Sequence, residues 1–182
     1  MLHRIQRILD NYERQFPLEL DVVSSAKAAL ADLVAGSTPP VHVSASALAL
    51  REEDNMLAAV LHPTLGTWIQ PGGHVEIGES PAMTARRELE EETNLSGVTL
   101  HRWHLEKRSP IDIDVHDTPC HLSQSSARHL DFRYVFWVNQ PTSNTDLVRW
   151  IQFGDVLSGR ILTNITRALG KTLELHLLRP TD

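Results

Sequence analysis

Cysteine is nearly missing from this chain: Cys120 stands alone among 182 residues, so no internal disulfide can staple the fold. A loop with histidine and proline neighbours surrounds it, and no base is organised beside it, so a nucleophilic role is set aside. Long apolar runs are missing too. None approaches the roughly 20 residues that span a bilayer, and no membrane association is expected. Residues 1–10 mix His3, Arg4 and Arg7 with isolated aliphatics, which leaves no continuous apolar core for a signal peptide. Internal repeats and low-complexity tracts are lacking as well. Basic residues are outnumbered, 17 against 23 acidic, for a net charge of −6. That balance excludes a stable partnership with nucleic-acid backbone, which depends on basic patches. A cytoplasmic chain near the size of one domain, with room for a short terminal element, is the expectation.

What is present is unevenly spread. Glu76, Glu79, Glu88, Glu90, Glu91 and Glu92 crowd into seventeen residues, while His101, His104, His116, His121 and His129 fall in another stretch. Along the chain, Ile5, Ile8, Leu9, Val22, Ala26, Ala29, Leu30 and Leu33 recur at three- and four-residue spacing and predict helices over residues 1–35. Pro17 divides them, and the run from Gly36 to Pro40 stops them. From Val41 the pattern turns strand-like. Val41, Val43, Ala45, Ala47 and Ala49 alternate, residues 56–61 form a second strand, and a polar turn over 51–55 joins the two. A short strand at 68–70 runs into Pro71-Gly72-Gly73. Further strands are predicted at 98–103, 111–115, 132–138 and 150–153, with a polar loop over 117–129 and a closing helix over 162–178. Several strands with few flanking helices predict an α+β or α/β sandwich.

Ser80 as N-cap and Pro81 at the first helical position predict a helix over 80–93, with Asn94 closing it in the left-handed conformation. Glu88, Glu91 and Glu92 stand at i, i+3 and i+4 and share one face. They also occupy the last turn, where the helix dipole disfavours negative charge by some tenths of a kcal/mol each. The bland reading is a solvated face laced by Arg86–Glu90 and Arg87–Glu91 pairs. It leaves Glu88 and Glu92 unpaired. A hard divalent cation held by oxygen ligands reverses the repulsion instead. The preceding Gly72-Gly73 turn, which exposes peptide groups to an incoming ion or phosphate, favours the second reading.

Gly73, five residues, Glu79, seven residues, then Arg87-Glu88-Leu89-Glu90-Glu91-Glu92, Thr93, Asn94 and Leu95 resemble the Nudix hydrolase motif, Gly-x5-Glu-x7-Arg-Glu-apolar-x-Glu-Glu-x-Gly-apolar. The one departure is Asn94 in place of glycine, and asparagine is the next best residue for that backbone conformation. The resemblance implies an α/β sandwich of α/β/α layers with a mixed sheet over residues 41–182, preceded by a helical extension over 1–38. It implies hydrolysis of a pyrophosphate bond in a nucleoside diphosphate linked to another moiety, or in a nucleoside triphosphate, with Mg²⁺ or Mn²⁺. Glu88, Glu91 and Glu92 become metal ligands with the Gly72 carbonyl. Arg87 becomes the residue that orients them, and Glu79 a structural residue or a ligand through water. Glu88, Glu92 or an acid from a later loop is the general base. For the N-terminal helices, a cap on the sandwich and a homodimer surface are both open.

Outside the motif, Asp112 and Asp114 share a face of one predicted strand, and His129 and Asp131 a face of the next. These acids and histidines are candidates for substrate contacts, a further metal ligand or a separate transition-metal site; the bland alternative is a solvated loop. Trp68 beside the glycine turn is a candidate pocket wall, and His74 a candidate phosphate contact. Two rivals to hydrolysis are weighed: a module that binds nucleotides without turnover, and an isoprenoid-diphosphate isomerase, which would use a pocket cysteine together with a glutamate.

Overall fold

The computed structural model of the chain describes residues 1–51, 53–54, 56–62, 66–119, 126–139, 146 and 148–175. Cys120 and His121, and the tail of the predicted closing helix, lie outside them. Two helices lead, α1 (Leu2–Gln15) and α2 (Leu20–Ala35). They are separated around Pro17 as expected, and Gly36 closes α2 in the left-handed conformation at φ 65°.

The sheet is mixed, with eight strands among the described residues. Its axis is the pair β1 (Val41–Arg51) and β7 (Ser126–Val138), which run parallel from Val41–Arg128 to Arg51–Val138. Antiparallel to β1 lie β2 (Met56–Leu61) and β4 (Gly72–His74). Beyond β2 come β3 (Trp68–Ile69) and, in chain order last, β8 (Val148–Gln152). β7 pairs along its other side with β5 (Thr99–Leu100) and β6 (Asp112–Pro119). Between these strands run α3 (Pro81–Thr93) and α4 (Arg102–Lys107); α5 (Phe153–Leu157), a 3₁₀ turn at Thr163–Ile165 and α6 (Thr166–Glu174) follow β8.

Period-two alternation explains the layers. The odd residues of β1, Val41 to Ala49, join one apolar cluster with Ile5, Leu9 and Tyr12 of α1, Val23, Ala26 and Ala29 of α2, and Ala85 and Leu89 of α3. The even residues Leu48 and Leu50 join a second cluster with Leu57, Val135, Trp137, Phe153, Val156, Ile165 and Leu169. Helices thus cover both faces, and α1 and α2 share the core of the first. Full burial of side chains such as Ile5 and Leu9 contributes about 1.5–3 kcal/mol apiece. The second face changes character along its length. Toward the start of β1 its even positions are His42, Ser44 and Ser46, and there no apolar layer seals it.

Three predicted elements are corrected. The strand over 98–103 shrinks to Thr99–Leu100, because His101 caps α4 by accepting the Trp103 amide at 3.2 Å and the chain turns helical. The polar loop over 117–129 is shorter than its composition suggests. β6 extends to Pro119 and β7 begins at Ser126, since pairing to β1 and β6 together overrides local polarity. The closing helix starts at Thr166 rather than 162, after Leu162 takes a left-handed φ of 53°.

Candidate active site

The acidic helix is built as its sequence dictates. The Ser80 hydroxyl accepts the Met83 amide at 3.4 Å, Pro81 opens α3, and Asn94 ends it at φ 55° and ψ 23°. Glycine is required at the turn beneath it. At Gly72 a Cβ would stand 2.6 Å from the Ser46 Cβ and 2.8 Å from the Ala45 carbonyl oxygen, because β4 lies directly on β1. At Gly73 a Cβ would collide with the Glu88 carboxylate.

Arg87 organises the carboxylates. Its Nε donates to Glu79 at 2.9 Å, Nη1 to Glu88 at 2.7 Å and to Glu91 at 3.1 Å, and Nη2 to the His74 carbonyl at 3.2 Å. Glu79 also accepts the Thr84 hydroxyl at 2.6 Å. The Arg87 guanidinium, then this hydroxyl, hold the Glu79 carboxyl down at about 2. Glu79 therefore ties the turn to the helix. The expected Arg86–Glu90 pair is present at 3.0 Å but largely exposed, where such pairs contribute little. Glu92 differs from its neighbours. Its carboxylate accepts the Gly72 amide at 2.9 Å. Desolvation nevertheless raises its pKa above the ordinary carboxylate value, with the Glu88 and Glu91 charges adding to the rise.

A cavity of about 640 Å³ opens beside this turn, a size suited to one small molecule. Glu92, Gly72 and Gly73 form one wall, Trp68 and Gln70 another, and Ser46, His129 and Asp131 the floor. The Arg149 guanidinium sits 4.4 Å over the Trp68 ring. Of the sequence candidates, Trp68, His74 and Asp131 line the cavity, whereas Asp112 and Asp114 do not.

Those two acids do share a face of β6, but they turn to Arg133. Its Nη1 donates to Asp112 at 3.0 Å, Nη2 to Asp114 at 2.7 Å, and Nε to Asp131 at 3.3 Å. Asp112 further accepts from Arg167 at 2.7 Å and Lys171 at 2.8 Å, and Lys171 reaches Glu19 and the Tyr12 hydroxyl, each at 2.6 Å. Burial works to raise the Asp112 pKa, yet the Arg167 hydrogen bond and the Lys171 and Arg133 charges leave it below the ordinary value. This network braces the cavity floor: Asp131 also accepts from Ser44 at 3.0 Å and Ser46 at 2.8 Å, and the Asn164 carbonyl accepts from Arg133 at 2.7 Å.

Sequence reasoning missed Arg133, Arg167, Lys171, Tyr12 and His42. A signal existed for Arg133, a lone cation inside the apolar run from Phe132 to Val138 and on the face of Asp131. A signal also existed for His42, Ser44 and Ser46, the polar even positions of an otherwise apolar strand. Of the histidine-rich stretch, His116 and His129 both line the cavity. His104 instead is structural, accepting the Val135 amide at Nε2 (2.9 Å) and facing the Ser109 carbonyl at Nδ1 (2.8 Å).

A mixed sheet between helices, with a glycine turn and an arginine-braced acidic helix at one end, has the architecture of a Nudix-type fold. The NUDIX domain family model matches residues 40–163, and the chain belongs to that family. A probable DHNTP pyrophosphohydrolase of Lactococcus lactis subsp. cremoris is 33% identical over 99 residues, 53% of this chain and 54% of that protein. A MutT-like protein of Streptomyces ambofaciens is 37% identical over 59 residues, 32% of this chain and 38% of that protein. The chain thus spans about half or less of the length of these curated relatives. In three dimensions, an Ap4A hydrolase of C. elegans superimposes with a TM-score of 0.55 at 17% identity, covering 75% of this chain and 98% of that one. That likeness shows the fold. No helix among the described residues is long and apolar enough to cross a membrane.

Proposed function

We propose that the chain is a divalent-metal-dependent pyrophosphohydrolase, cleaving a phosphoanhydride bond in a nucleoside diphosphate joined to another group or in a nucleoside triphosphate. The observation that carries this reading is an acidic face of α3 whose Glu88 packs on Gly73 and whose Glu92 holds the Gly72 amide and lines the cavity, with Glu91 beside them on the same face. The donor set fits a hard cation: carboxylates and a backbone carbonyl suit Mg²⁺ or Mn²⁺. Burial, with the nearby Glu88 and Glu91 charges, raises the Glu92 pKa, and a cation beside it would offset that cost. Glu88, Glu91, Glu92 and the Gly72 carbonyl would hold the ion, which when bound lowers the charge on the phosphate oxygens and acidifies a coordinated water.

The protein's own groups do the rest. Arg87 fixes Glu88 and Glu91 while Glu79 anchors Arg87, so Arg87 acts as a positioning residue. Glu92 lines the cavity and its proton affinity is raised, which suits the general base that takes a proton from the attacking water. Trp68 supplies a flat apolar wall for a nucleobase, and His74 stands where a phosphate would approach. The name of the Lactococcus relative, a pyrophosphohydrolase, supports the reaction class.

A panel of nucleoside diphosphate derivatives and triphosphates, incubated with Mg²⁺ or Mn²⁺, tests the reading. Turnover of at least one compound by the wild type is expected, falling on the order of 10²-fold or more in Glu92→Gln. Metal-independent binding without turnover would instead identify a binding module.

A further inference from the structure

Three histidines distant in sequence meet at the polar end of the sheet. His42 on β1 and His129 on β7 are register partners in the parallel pair, so their side chains leave the same face. His74 enters from β4, opposite Ser44. The ring centroids lie 5.0 Å apart for His42–His74, 5.7 Å for His42–His129 and 5.0 Å for His74–His129. The Nε2 atoms of His74 and His129 are 3.1 Å apart, and one nitrogen from each of the three rings lies within 4.8 Å of the others.

We propose that His42, His74 and His129 form a binding site for one first-row transition-metal ion of the zinc type, open on its fourth side to the cavity. Nitrogens bound at about 2.0–2.1 Å around a tetrahedral ion stand roughly 3.4 Å from one another. The His74–His129 pair, at 3.1 Å, already stands close to that spacing, and a His42 nitrogen lies within 4.8 Å of both. Three protein ligands with a free position is the pattern of zinc sites that accept water or a ligand. Here His74 and His129 both line the cavity, so the free position faces its interior. Imidazole selects zinc, cobalt, nickel or copper over magnesium. The histidine site and the Glu88–Glu91–Glu92 site therefore sort different ions, although β4 serves both, presenting Gly72 and Gly73 to the glutamates and His74 to the histidines. Nothing in this assignment depends on the chain being a hydrolase.

Cobalt reports the site directly, because tetrahedral Co²⁺ absorbs visible light far more strongly than octahedral Co²⁺. The metal-stripped full chain, held in excess Mg²⁺ to occupy the carboxylates, is titrated with Co²⁺. A tetrahedral band saturating at one equivalent is expected, displaced by Zn²⁺, lost in His129→Ala and in His74→Ala, and retained in Glu92→Gln. His74 is exposed, so its variant keeps the fold and decides the matter if His129→Ala does not; thermal melting without metal checks both. Absence of the band in the wild type overturns the proposal. So does a band that survives His74→Ala, or one that disappears in Glu92→Gln.

Discussion

The Glu88 carboxylate lies over Gly73 so closely that a Cβ on residue 73 would fall 2.9 Å from its Oε2 and nearer still to its other carboxyl atoms. At Gly72 the obstacle is backbone and Cβ of β1 instead, with Ser46 Cα at 2.9 Å. The two adjacent glycines should therefore fail differently. In Gly73→Ala the flexible glutamate swings away, leaving stability within about 1 kcal/mol of wild type but lowering turnover on the order of 10²-fold. In Gly72→Ala the strands must part, costing about 1–3 kcal/mol. Denaturant unfolding of both, beside the hydrolysis assay, checks the contrast; equal losses of stability would refute it.

Arg87→Lys keeps the charge and loses the fork. Lysine cannot hold Glu79, Glu88 and Glu91 while also reaching the His74 carbonyl. A loss of about 1–3 kcal/mol of stability is expected, with turnover down on the order of 10²-fold as the glutamates drift. Wild-type turnover in this variant would show that charge alone suffices.

His104 makes stability sensitive to mild acid. Burial holds its pKa down at about 4 against an ordinary 6.5. Its Nε2 accepts the Val135 amide, which a protonated ring cannot do. The unfolded chain takes up a proton near pH 6.5 that the folded chain refuses until about pH 4, so stability declines as pH drops through that window. Between pH 7 and pH 5 the decline from this group is about 1–2 kcal/mol. Urea unfolding at the two pH values, in wild type and His104→Gln, should show a smaller difference for the variant. Identical pH dependence would exclude His104 as the cause.

Asp112→Asn should damage folding and spare the chemistry. The carboxylate is fully buried and receives Arg133, Arg167 and Lys171, and removing its charge leaves the buried Arg133 and Lys171 poorly opposed, at about 3–5 kcal/mol. Because Asp112 does not line the cavity, KM measured on the folded fraction should stay close to wild type. A large KM change with unaltered stability would contradict this placement.

Local chemistry made part of this molecule readable in advance. The acidic helix, its Ser80 cap and its Asn94 terminus rest on contacts within a few residues, and they appear where the sequence put them. The odd positions of β1 announced one of its two covered faces for the same reason. By contrast, His42 meets His129 through a parallel pairing 87 residues away in the chain, and no local spacing encodes that. Asp112 and Asp114 were placed on the correct face, but their partner was hidden, since Arg133 lies within a run that reads as core. Trp103 looked like strand because aromatic residues favour sheets; the His101 ring, an uncommon cap, accepts the Trp103 amide two residues on and opens α4 instead.

The stretch recognisable by family, residues 40–163, omits Tyr12, Glu19, Arg167 and Lys171, all of which surround or support Asp112. Ancestry and electrostatic self-sufficiency therefore draw different boundaries on this chain. A fragment cut to the inherited span would carry the whole acidic helix yet strand the carboxylate beneath its floor without two of its countercharges. The flanking helices are thus part of what holds the cavity floor in place, whatever their evolutionary origin.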